Sequence, residues 1–444
     1  MRSPRVEPLV RMADGTVKQV NPLTGTEVWT VPGRAHRPLD VPSEPPAPLD
    51  PADVGRACAF CHENYLQTPP EKSRLVRHAD GSWATLENLP AERLDETVAE
   101  FRRVPNLFEI LSYDYWHENY GYTPPAAAAE HQRAYLATPT GRAHVLAVVR
   151  ARLRAAGVTD AEWAALPEAE RLAHATAFFA GGHDVVIARR HFVDGARRDD
   201  ELAGSGSLTP EEHHRFLAFT AGTARSLYAA NPHARYVAVF QNWLRPAGAS
   251  FDHLHKQLVA IDEHGRATDS ELALLAHEPN LFNDAAVNYA ARCGLVVAEN
   301  AHAIAFAGFG HRYPTLEVYS KSARNLPWEH DEDELWAFSD VLHACHAATG
   351  AHVPTNEEWH HRPARVAAPM PWRVMLKWRI STIAGFEGGT RIYLNTIDPW
   401  ALRERVVGRL LDLRAQGRIG PMAVGAECPA RPDALRYAAA QPAR

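Results

Sequence analysis

The sequence predicts an α+β protein in which a strand–helix–strand arrangement occurs twice, giving antiparallel sheets flanked by helices. Two observations carry this prediction: apolar runs of strand length occur on both sides of residue 265, and helical patterns lie between the strands of each half. A third is a block rich in Ala, Arg, Glu and Leu at about 124–180, which predicts an additional helical insertion in the first half. The two halves share too little sequence identity to establish a duplication directly.

The overall composition argues against several classes of protein. The 444 residues are 46% hydrophobic and 23% charged with a net charge of −6, which does not favour a nucleic-acid or membrane partner. Apolar runs are shorter than the roughly 18 residues of a membrane span, and residues 1–7 lack the apolar core of a signal peptide. Five cysteines, an odd number, do not indicate a disulfide framework. We therefore expect a cytoplasmic globular protein.

Residues 1–55 are predicted to form an extended N-terminal arm. They contain the turn-forming sequence NPLTG at 21–25 and a Pro-rich run at 42–51. Such sequences are typical of a segment that wraps over a surface without a core of its own.

A pair of cysteines, Cys58 and Cys61, follows the arm. Two cysteines at this spacing are a common half of a zinc site whose other ligands come from elsewhere in the chain. A thioredoxin-type redox pair is one alternative, but the strand before it and the helix after it are missing from the pattern. Two buried structural thiols are the other alternative.

The first half, residues 56–265, contains the insertion and then a second polar segment. Residues 183–188 are predicted as a strand that runs into Arg189, Arg190 and His191. Thr209, followed by Pro210, predicts the start of a helix, because threonine caps helices and proline suits the first helical position. That helix leads to an apolar strand at 236–240.

The central motif of the chain is SFDHLHKQ at 250–257. On a strand, residues two apart face the same side, so His253, His255 and Gln257 are predicted to form one polar row between apolar strands. Polar groups in such a place are costly unless they bind something, and a metal, a phosphate or both would fit. Because the chain has 24 histidines, chance placement on an exposed strand face is the alternative.

The second half, residues 266–420, repeats the order of elements. Strands are predicted at 293–305, 314–319, 372–380 and 392–394, with an amphipathic helix at 331–349. The tail, residues 421–444, is rich in Pro, Ala and Arg and is expected to be poorly ordered.

Several short motifs occur in an order that is more specific than any one of them. The segments, in chain order, are 21–25, Trp29, 34–38, 58–61, 105–108, 183–191, Asn242, 247–250, His253, His255 and Gln257. Together they resemble the galactose-1-phosphate uridylyltransferase family of the histidine-triad (HIT) superfamily, from Asn21 to about Pro399. The resemblance implies two HIT-like halves and a covalent nucleotidyl-histidine mechanism.

Specific roles follow from this resemblance. It implies that His255 is the nucleophile and that Gln257 and Ser250 donate hydrogen bonds to phosphoryl oxygens. The residues implied for nucleotide binding are Arg34, Arg37, Asn106 and Asn242, with the two arginines reaching across the interface of a homodimer. One structural Zn²⁺ is implied at Cys58, Cys61, His191 and His253, and His183 is the alternative to His191 because the strand is one residue shorter than in the family.

The chain also departs from the family pattern. Leu254 stands where the family has proline, and the insertion at 124–180 has no counterpart. His360 is retained at a position that can hold a second metal, but Met375 and Lys377 replace the later ligand pair, so no second metal is expected. Ser381 replaces the lysine that binds the sugar phosphate.

These departures leave three functions open. The first is a nucleotidyltransferase that uses a nucleotide or nucleotide-sugar donor and a phosphorylated small-molecule acceptor at an altered acceptor site. The second is a nucleotide phosphorylase or hydrolase of the same superfamily, and the third is a catalytically silent nucleotide-binding protein. The loss of a charge-assisted bond at Ser381 predicts that galactose 1-phosphate is a poor acceptor. The base and the acceptor are not identified by the sequence.

Overall fold

The fold is built around one large sheet. The computed structural model describes residues 7–32, 45–381 and 383–438. A 12-stranded sheet has the order β16-β10-β11-β12-β14-β13-β8-β9-β7-β6-β4-β5, and a 4-stranded sheet has the order β1-β2-β3-β15. The strands are β1 (Leu9–Arg11), β2 (Val17–Val20), β3 (Glu27–Thr30), β4 (Ser73–Arg77), β5 (Trp83–Glu87), β6 (Phe101–Pro105), β7 (His183–Ala188), β8 (Tyr236–Trp243), β9 (His255–Ile261), β10 (Val296–Glu299), β11 (Ala303–Ala307), β12 (Thr315–Ser320), β13 (Thr355–His360), β14 (Arg373–Trp378), β15 (Ile392–Asn395) and β16 (Ala423–Val424).

Helices flank this sheet, which confirms the predicted α+β class. The α-helices are α1 (Tyr113–Tyr120), α2 (Ala126–Ala137), α3 (Pro139–Ala155), α4 (Asp160–Ala165), α5 (Glu168–Ala173), α6 (Thr176–Ala180), α7 (Pro210–Ala230), α8 (Gly265–Leu275), α9 (Asn288–Arg292), α10 (Glu332–Thr349), α11 (Gly385–Thr390) and α12 (Pro399–Ala415). In the described ranges, none of them is long and apolar enough to cross a membrane.

The large sheet joins strands from before and after residue 265. Its junction is the antiparallel pair β8–β13, in which Asn242 faces Asn356. Every described strand pair within this sheet is antiparallel. The division of the chain at residues 55, 265 and 420 stays a prediction.

Two long helices, α7 and α10, pack together over the sheet and close the main core. Thr209 caps α7 in a reciprocal hydrogen-bond pair with Glu212, as its sequence predicted. Asp331 caps α10 in the same way with Glu334. The sequence pattern of α10 predicts an apolar side formed by Leu335, Phe338, Val341, Leu342 and Cys345. The last four are buried and Leu335 is partly buried.

The insertion forms a helical subdomain with a small core of its own. Helices α2 to α6 lie within the predicted 124–180 block. Their core contains Ala91, Tyr135, Val145, Val148, Val149, Ala175, Phe178 and Phe179. Leu107, which precedes this block in the chain, packs against the same core.

The N-terminal arm contributes strands to the smaller sheet. Strand β3 pairs in parallel with β15, which lies more than 360 residues further along the chain. Leu9, Val17 and Leu23 reach the main core. The described part of the tail does not fit the expected disorder, because it contains β16 and buries Leu435 and Tyr437.

Two strand predictions needed correction. The segment 293–305 is not one strand: Cys293 ends α9, and β10 and β11 form a hairpin whose turn is held by Asn300, which accepts from the amides of His302 and Ala303. The central motif is also shorter than expected as a strand. Because β9 begins at His255 after a bend at 251–253, the strand alternation does not extend to His253.

Candidate active site

A cavity of about 390 Å³ opens beside the start of β9. Its size is within the range of small-molecule sites. Its walls come from the Cys58–Cys61 turn, the end of β6 with the segment after it, β7, and the loop before β9. The lining residues are Ala59, Phe60, Gln67, Thr68, Pro69, Val104, Pro105, Asn106, Leu107, Phe108, Ile110, His183, Val185, Ser250, Phe251, His255 and Gln257. We call this space the His255 cavity.

His255 is held in one tautomer by the backbone. Its Nδ1 lies 2.7 Å from the carbonyl oxygen of His253. A carbonyl can only accept, so Nδ1 carries the proton and Nε2 is the basic nitrogen. Burial lowers the pKa of His255 to about 4, so the ring is neutral near pH 7. A neutral imidazole with a basic Nε2 is a competent nucleophile.

Gln257 and Asn106 form a polar network on the same cavity wall. The Nδ2 of Asn106 lies 3.3 Å from Oε1 of Gln257, and Nε2 of His183 lies 3.1 Å from the same oxygen. His183 therefore contacts Gln257 of the central motif and is not part of the cysteine cluster. Sequence reasoning considered His183 only as a metal ligand, because its partner lies on another strand.

Ser250 lies at the end of a strained loop. Leu244 has φ +66°, which is unusual for a residue with a side chain, and Gly248 has φ +90°. The side-chain amide of Asn356 holds this loop by donating to the carbonyl of Ala247 at 2.8 Å. The structure thus brings Ser250 to the cavity that His255 and Gln257 line.

Asn242 does not share this position. Its Oδ1 accepts from Nδ2 of Asn356 at 2.7 Å, and it is not among the residues that line the His255 cavity. Arg34 and Arg37, also predicted to bind nucleotide, lie outside the described residues.

Four residues converge beside the cavity: Cys58, Cys61, His191 and His253. One ligand atom from each lies within 4.8 Å of the others. Nδ1 of His253 lies 3.5 Å from Sγ of Cys58, and Nδ1 of His191 lies 3.5 Å from Sγ of Cys61. We call this group the Cys–His cluster, and it contains His191 rather than His183.

The donor set of this cluster suits a zinc ion. Nε2 of His253 lies 2.6 Å from the carbonyl of Ala188 and must donate to it, so Nδ1 faces the cysteines as a base. The hydrogen bond between the two thiols lowers the pKa of Cys61 and raises that of Cys58. Two thiolates and two imidazoles form the closed tetrahedral shell of a structural zinc site.

Phe60 connects the cluster to the cavity. It lies within the Cys58–Cys61 turn, and its ring centroid is 5.1 Å from that of His255, 6.1 Å from that of His253 and 4.5 Å from that of Phe251. The turn that carries two cluster residues therefore also packs against one face of the His255 ring.

The insertion contacts two residues of the cavity wall, Thr68 and Leu107. His144, buried in α3, has its Nε2 2.8 Å from the carbonyl of Thr68 and its Nδ1 2.7 Å from the hydroxyl of Tyr135. Leu107 lines the cavity and packs against the core of the insertion. No local signal in the sequence pairs residue 144 with residue 68.

In the second half, His360, Met375 and Lys377, the residues compared with a second metal site, lie beside Glu358. Lys377 donates to Glu358 at 2.5 Å, and His360 lies 3.8 Å from the same carboxylate. Met375 is buried beside Glu358 on the paired strand. The Lys377 ammonium group therefore supplies a positive charge beside the Glu358 carboxylate.

The fold is that of the galactose-1-phosphate uridylyltransferase-like proteins, as the motifs implied. The structure resembles an ADP-glucose phosphorylase from Arabidopsis thaliana, solved with bound ADP-glucose, with a TM-score of 0.56, 19% identity, and coverage of 88% of this chain and 97% of that chain. It also resembles a GalT-like protein from Arabidopsis thaliana, with a TM-score of 0.53, 18% identity, and coverage of 88% and 98%.

Sequence comparison adds the family. Residues 12–437 match the family described as "Domain of unknown function (DUF4921)", and the chain belongs to that family. A curated relative, ADP-glucose phosphorylase of Arabidopsis thaliana, is 22% identical over 388 residues, which are 85% of this chain and 89% of the relative.

Proposed function

We propose that this protein is a nucleotidyl-transferring enzyme that cleaves a nucleotide sugar through a covalent intermediate on His255. The observation that supports it most is the Nδ1–H hydrogen bond of His255 to its own backbone, which leaves a basic Nε2 on a ring that lines the cavity. A catalytically silent binding protein has no need to keep that tautomer.

In the first step, Nε2 of His255 attacks the α-phosphorus of the donor. A nitrogen–phosphorus bond forms, and the bond from that phosphorus to the bridging oxygen breaks, so a sugar 1-phosphate leaves. The ring becomes cationic, and the carbonyl of His253 stabilises it through Nδ1–H. Gln257 and Ser250 supply hydrogen-bond donors for the phosphoryl oxygens as charge develops on them.

In the second step, an oxygen of the acceptor attacks the same phosphorus and His255 leaves as a neutral ring. We favour inorganic phosphate as this acceptor, which makes the protein a nucleotide-sugar phosphorylase. Ser381 provides no cation for a sugar phosphate. The basic residues nearest to it in sequence already have partners: Lys377 binds Glu358, and Arg379 donates to Oδ1 of Asn356 at 2.6 Å. The name of the curated relative agrees with this acceptor.

The remaining residues are assigned supporting roles. We propose that Cys58, Cys61, His191 and His253 hold one structural Zn²⁺, which fixes the turn beside His255 and takes no part in the bond changes. We propose Asn106 as a nucleotide-binding residue of the cavity wall. Asn242 acts through the loop to Ser250, since Asn356 joins both. A homodimer in which Arg34 and Arg37 contact the partner's nucleotide stays a prediction, as does a cytoplasmic location.

An acceptor assay tests this proposal. The protein is incubated with ADP-glucose or UDP-glucose and with phosphate, water alone or galactose 1-phosphate, and the products are separated. We expect phosphate-dependent release of glucose 1-phosphate and a nucleoside diphosphate. With galactose 1-phosphate we expect kcat/KM below about 10⁴ M⁻¹s⁻¹. Efficient sugar exchange without phosphorolysis would instead identify a uridylyltransferase-type enzyme with a sugar-phosphate acceptor.

A further inference from the structure

His183 lies between the backbone amide of Ile110, which can only donate, and the side-chain amide of Gln257, which can present either its oxygen or its nitrogen. The backbone amide of Ile110 lies 3.2 Å from Nδ1 of His183. A backbone N–H can only donate, so Nδ1 must be unprotonated. A neutral imidazole then carries its proton on Nε2, and that nitrogen lies 3.1 Å from Oε1 of Gln257.

The charge state of His183 agrees with this assignment. The residue is 1% exposed, and burial lowers its pKa to about 4. The neighbouring Asp184 raises this pKa and Lys72 lowers it, but Asp184 is already bound by Lys72 and Arg103. His183 is therefore neutral near pH 7, with one N–H to donate.

A backbone amide also fixes the orientation of the Asn106 side chain. Its Oδ1 accepts from the amide of Phe108 at 2.9 Å, which makes Nδ2 the donor side of that amide. Nδ2 lies 3.3 Å from Oε1 of Gln257 and 3.0 Å from Nε2 of His183. Because the amide of Ile110 makes Nδ1 the acceptor of the ring, Nε2 carries the proton and cannot accept from Asn106, so both nitrogens donate to Oε1 of Gln257. Two donors, each oriented by a backbone N–H of the segment that follows β6, therefore meet at one oxygen of Gln257.

We propose that His183 is a positioning residue that acts through Gln257. With its carbonyl oxygen held by His183 and Asn106, the Gln257 side chain must turn its NH₂ group away from them, as a donor beside His255. A reversed amide would place NH₂ against Nε2–H of His183, with two donors facing each other.

This arrangement also links the apolar rim of the cavity to the catalytic strand. Phe108 and Ile110, the residues whose amides set the two orientations, are 59% and 63% exposed and line the His255 cavity. A nucleobase that covers them orders the same backbone that orients Asn106 and His183. Donor binding thereby reinforces the orientation of the amide that stabilises the transferred phosphoryl group.

Two substitutions separate this role from simple packing. His183→Gln places a side-chain N–H near the position of Nε2 and keeps a donor for Gln257. His183→Asn places an oxygen near Nδ1, keeps the bond from Ile110 and loses the donor to Gln257. Both remove the buried ring, so a packing role predicts similar losses for both.

The kinetic test uses ADP-glucose and phosphate, and this arm rests on the proposed function. We expect His183→Asn to lower kcat by about 10²-fold with little change in KM, because the lost group acts on the transition state. We expect His183→Gln to retain kcat within about threefold. In a Gln257→Ala background, His183→Asn should cause no further loss. Equal losses in the two single variants, or a full further loss in the Gln257→Ala background, would overturn the inference.

A second measurement does not depend on any substrate. The tautomer of His183 can be read by NMR from ¹⁵N-histidine-labelled protein, with its signals assigned by their loss in His183→Gln. We expect the Nε2–H tautomer at pH 7. An Nδ1–H tautomer would overturn the proposed orientation of Gln257, even in an active enzyme. A wild-type protein that turns over no nucleotide sugar but shows the Nε2–H tautomer would remove the proposed function and retain the orientation.

Discussion

The buried polar groups on the two faces of strand β9 differ in how completely their hydrogen-bonding atoms are paired. On the cavity face, His255 and Gln257 are oriented by neighbours but keep a basic nitrogen and an NH₂ group that these bonds do not use. On the core face, Lys256 is 0% exposed and donates to Glu357 at 2.5 Å and to Gln241 at 3.0 Å.

The partners of Lys256 extend this contrast. Glu357 also binds Nε2 of His346 at 2.6 Å and accepts from the indole of Trp359 at 2.6 Å. A charge that is fully paired in the core cannot lose one partner without leaving the other charge buried and uncompensated. A polar group that is oriented but left uncommitted is available for chemistry. One strand therefore supplies both, and residues one position apart should respond differently to substitution.

The largest expected effect is on the cavity face. His255→Asn removes the basic Nε2 and should lower turnover of a nucleotide sugar by at least about 10³-fold. The melting temperature should change little, because asparagine can keep the hydrogen bond to the carbonyl of His253. Turnover and thermal unfolding measured on the same preparation check this. An active His255→Asn variant would show that the cavity face does not supply the nucleophile.

On the core face, a substitution should lower stability more than it lowers turnover. Lys256→Met leaves Glu357 buried without its ammonium partner and should lower the free energy of unfolding by about 3 kcal/mol. Chemical denaturation measures this loss. The double variant Lys256→Met/Glu357→Gln should recover part of it, since both charges are then absent while the amide oxygen can still accept a hydrogen bond from His346 or Trp359. A double variant less stable than the single one would show that the pair is not the source of the effect.

The Cys–His cluster should affect both properties through the metal. Protein purified without added metal should contain one zinc per chain, and Cys58→Ser/Cys61→Ser should contain none and unfold at a lower temperature. Elemental analysis and thermal unfolding measure the two results. Unchanged zinc in the double variant would place the metal elsewhere.

The insertion offers a smaller test of the cavity wall. His144→Leu removes the hydrogen bond to Thr68 and should weaken donor binding by about 5- to 30-fold, with kcat nearly unchanged. His131→Leu is the matched control, because His131 is buried in α2 beside Tyr135 and Phe179, and its Nε2 has no partner among the described residues. Calorimetric titration with ADP-glucose should distinguish the variants. Equal affinity of the His144→Leu and His131→Leu variants for ADP-glucose would show that the hydrogen bond from the insertion does not support donor binding.

The smallest effect concerns pH. Burial raises the pKa of Glu109, next to the cavity rim, to about 7. Its contribution to stability is therefore fully present below its ordinary pKa of about 4.5 and is lost as the pH rises through about 7. Glu109→Gln should remove this dependence, on the order of 1–2 kcal/mol between pH 5 and pH 8. Denaturation curves at the two pH values measure it, and parallel curves for both proteins would contradict it.

The sequence anticipated what depends on local spacing and on ordered motifs. The CxxC pair, the two histidines of the central motif, the cap of α7 and the helical insertion all carry local signals. The position of His191 in the cluster does not, because it depends on where β7 ends. The predicted row holds for His255 and Gln257, which line the same cavity, but not for His253, because a bend before His255 interrupts the strand.

Contacts between residues far apart in the chain also could not be predicted from the sequence. Asn242 was assigned to nucleotide on the basis of its position in the motif, but its partner is Asn356, on a strand of the second half. His144 contacts Thr68 only because the insertion folds back over the first half. The parallel pairing of β3 with β15 is another such case. Each depends on tertiary packing, which local propensity does not encode.

The most direct test of the central claim is to find the covalent intermediate. Wild-type protein is mixed with ADP-glucose in the absence of phosphate, digested under alkaline conditions, and analysed by mass spectrometry. The account predicts a nucleoside monophosphate on His255 that is stable to alkali, is lost in acid, and is discharged by added phosphate as a nucleoside diphosphate. Phosphorolysis that proceeds with no adduct on His255, or with equal adduct formation in His255→Asn, would contradict the account.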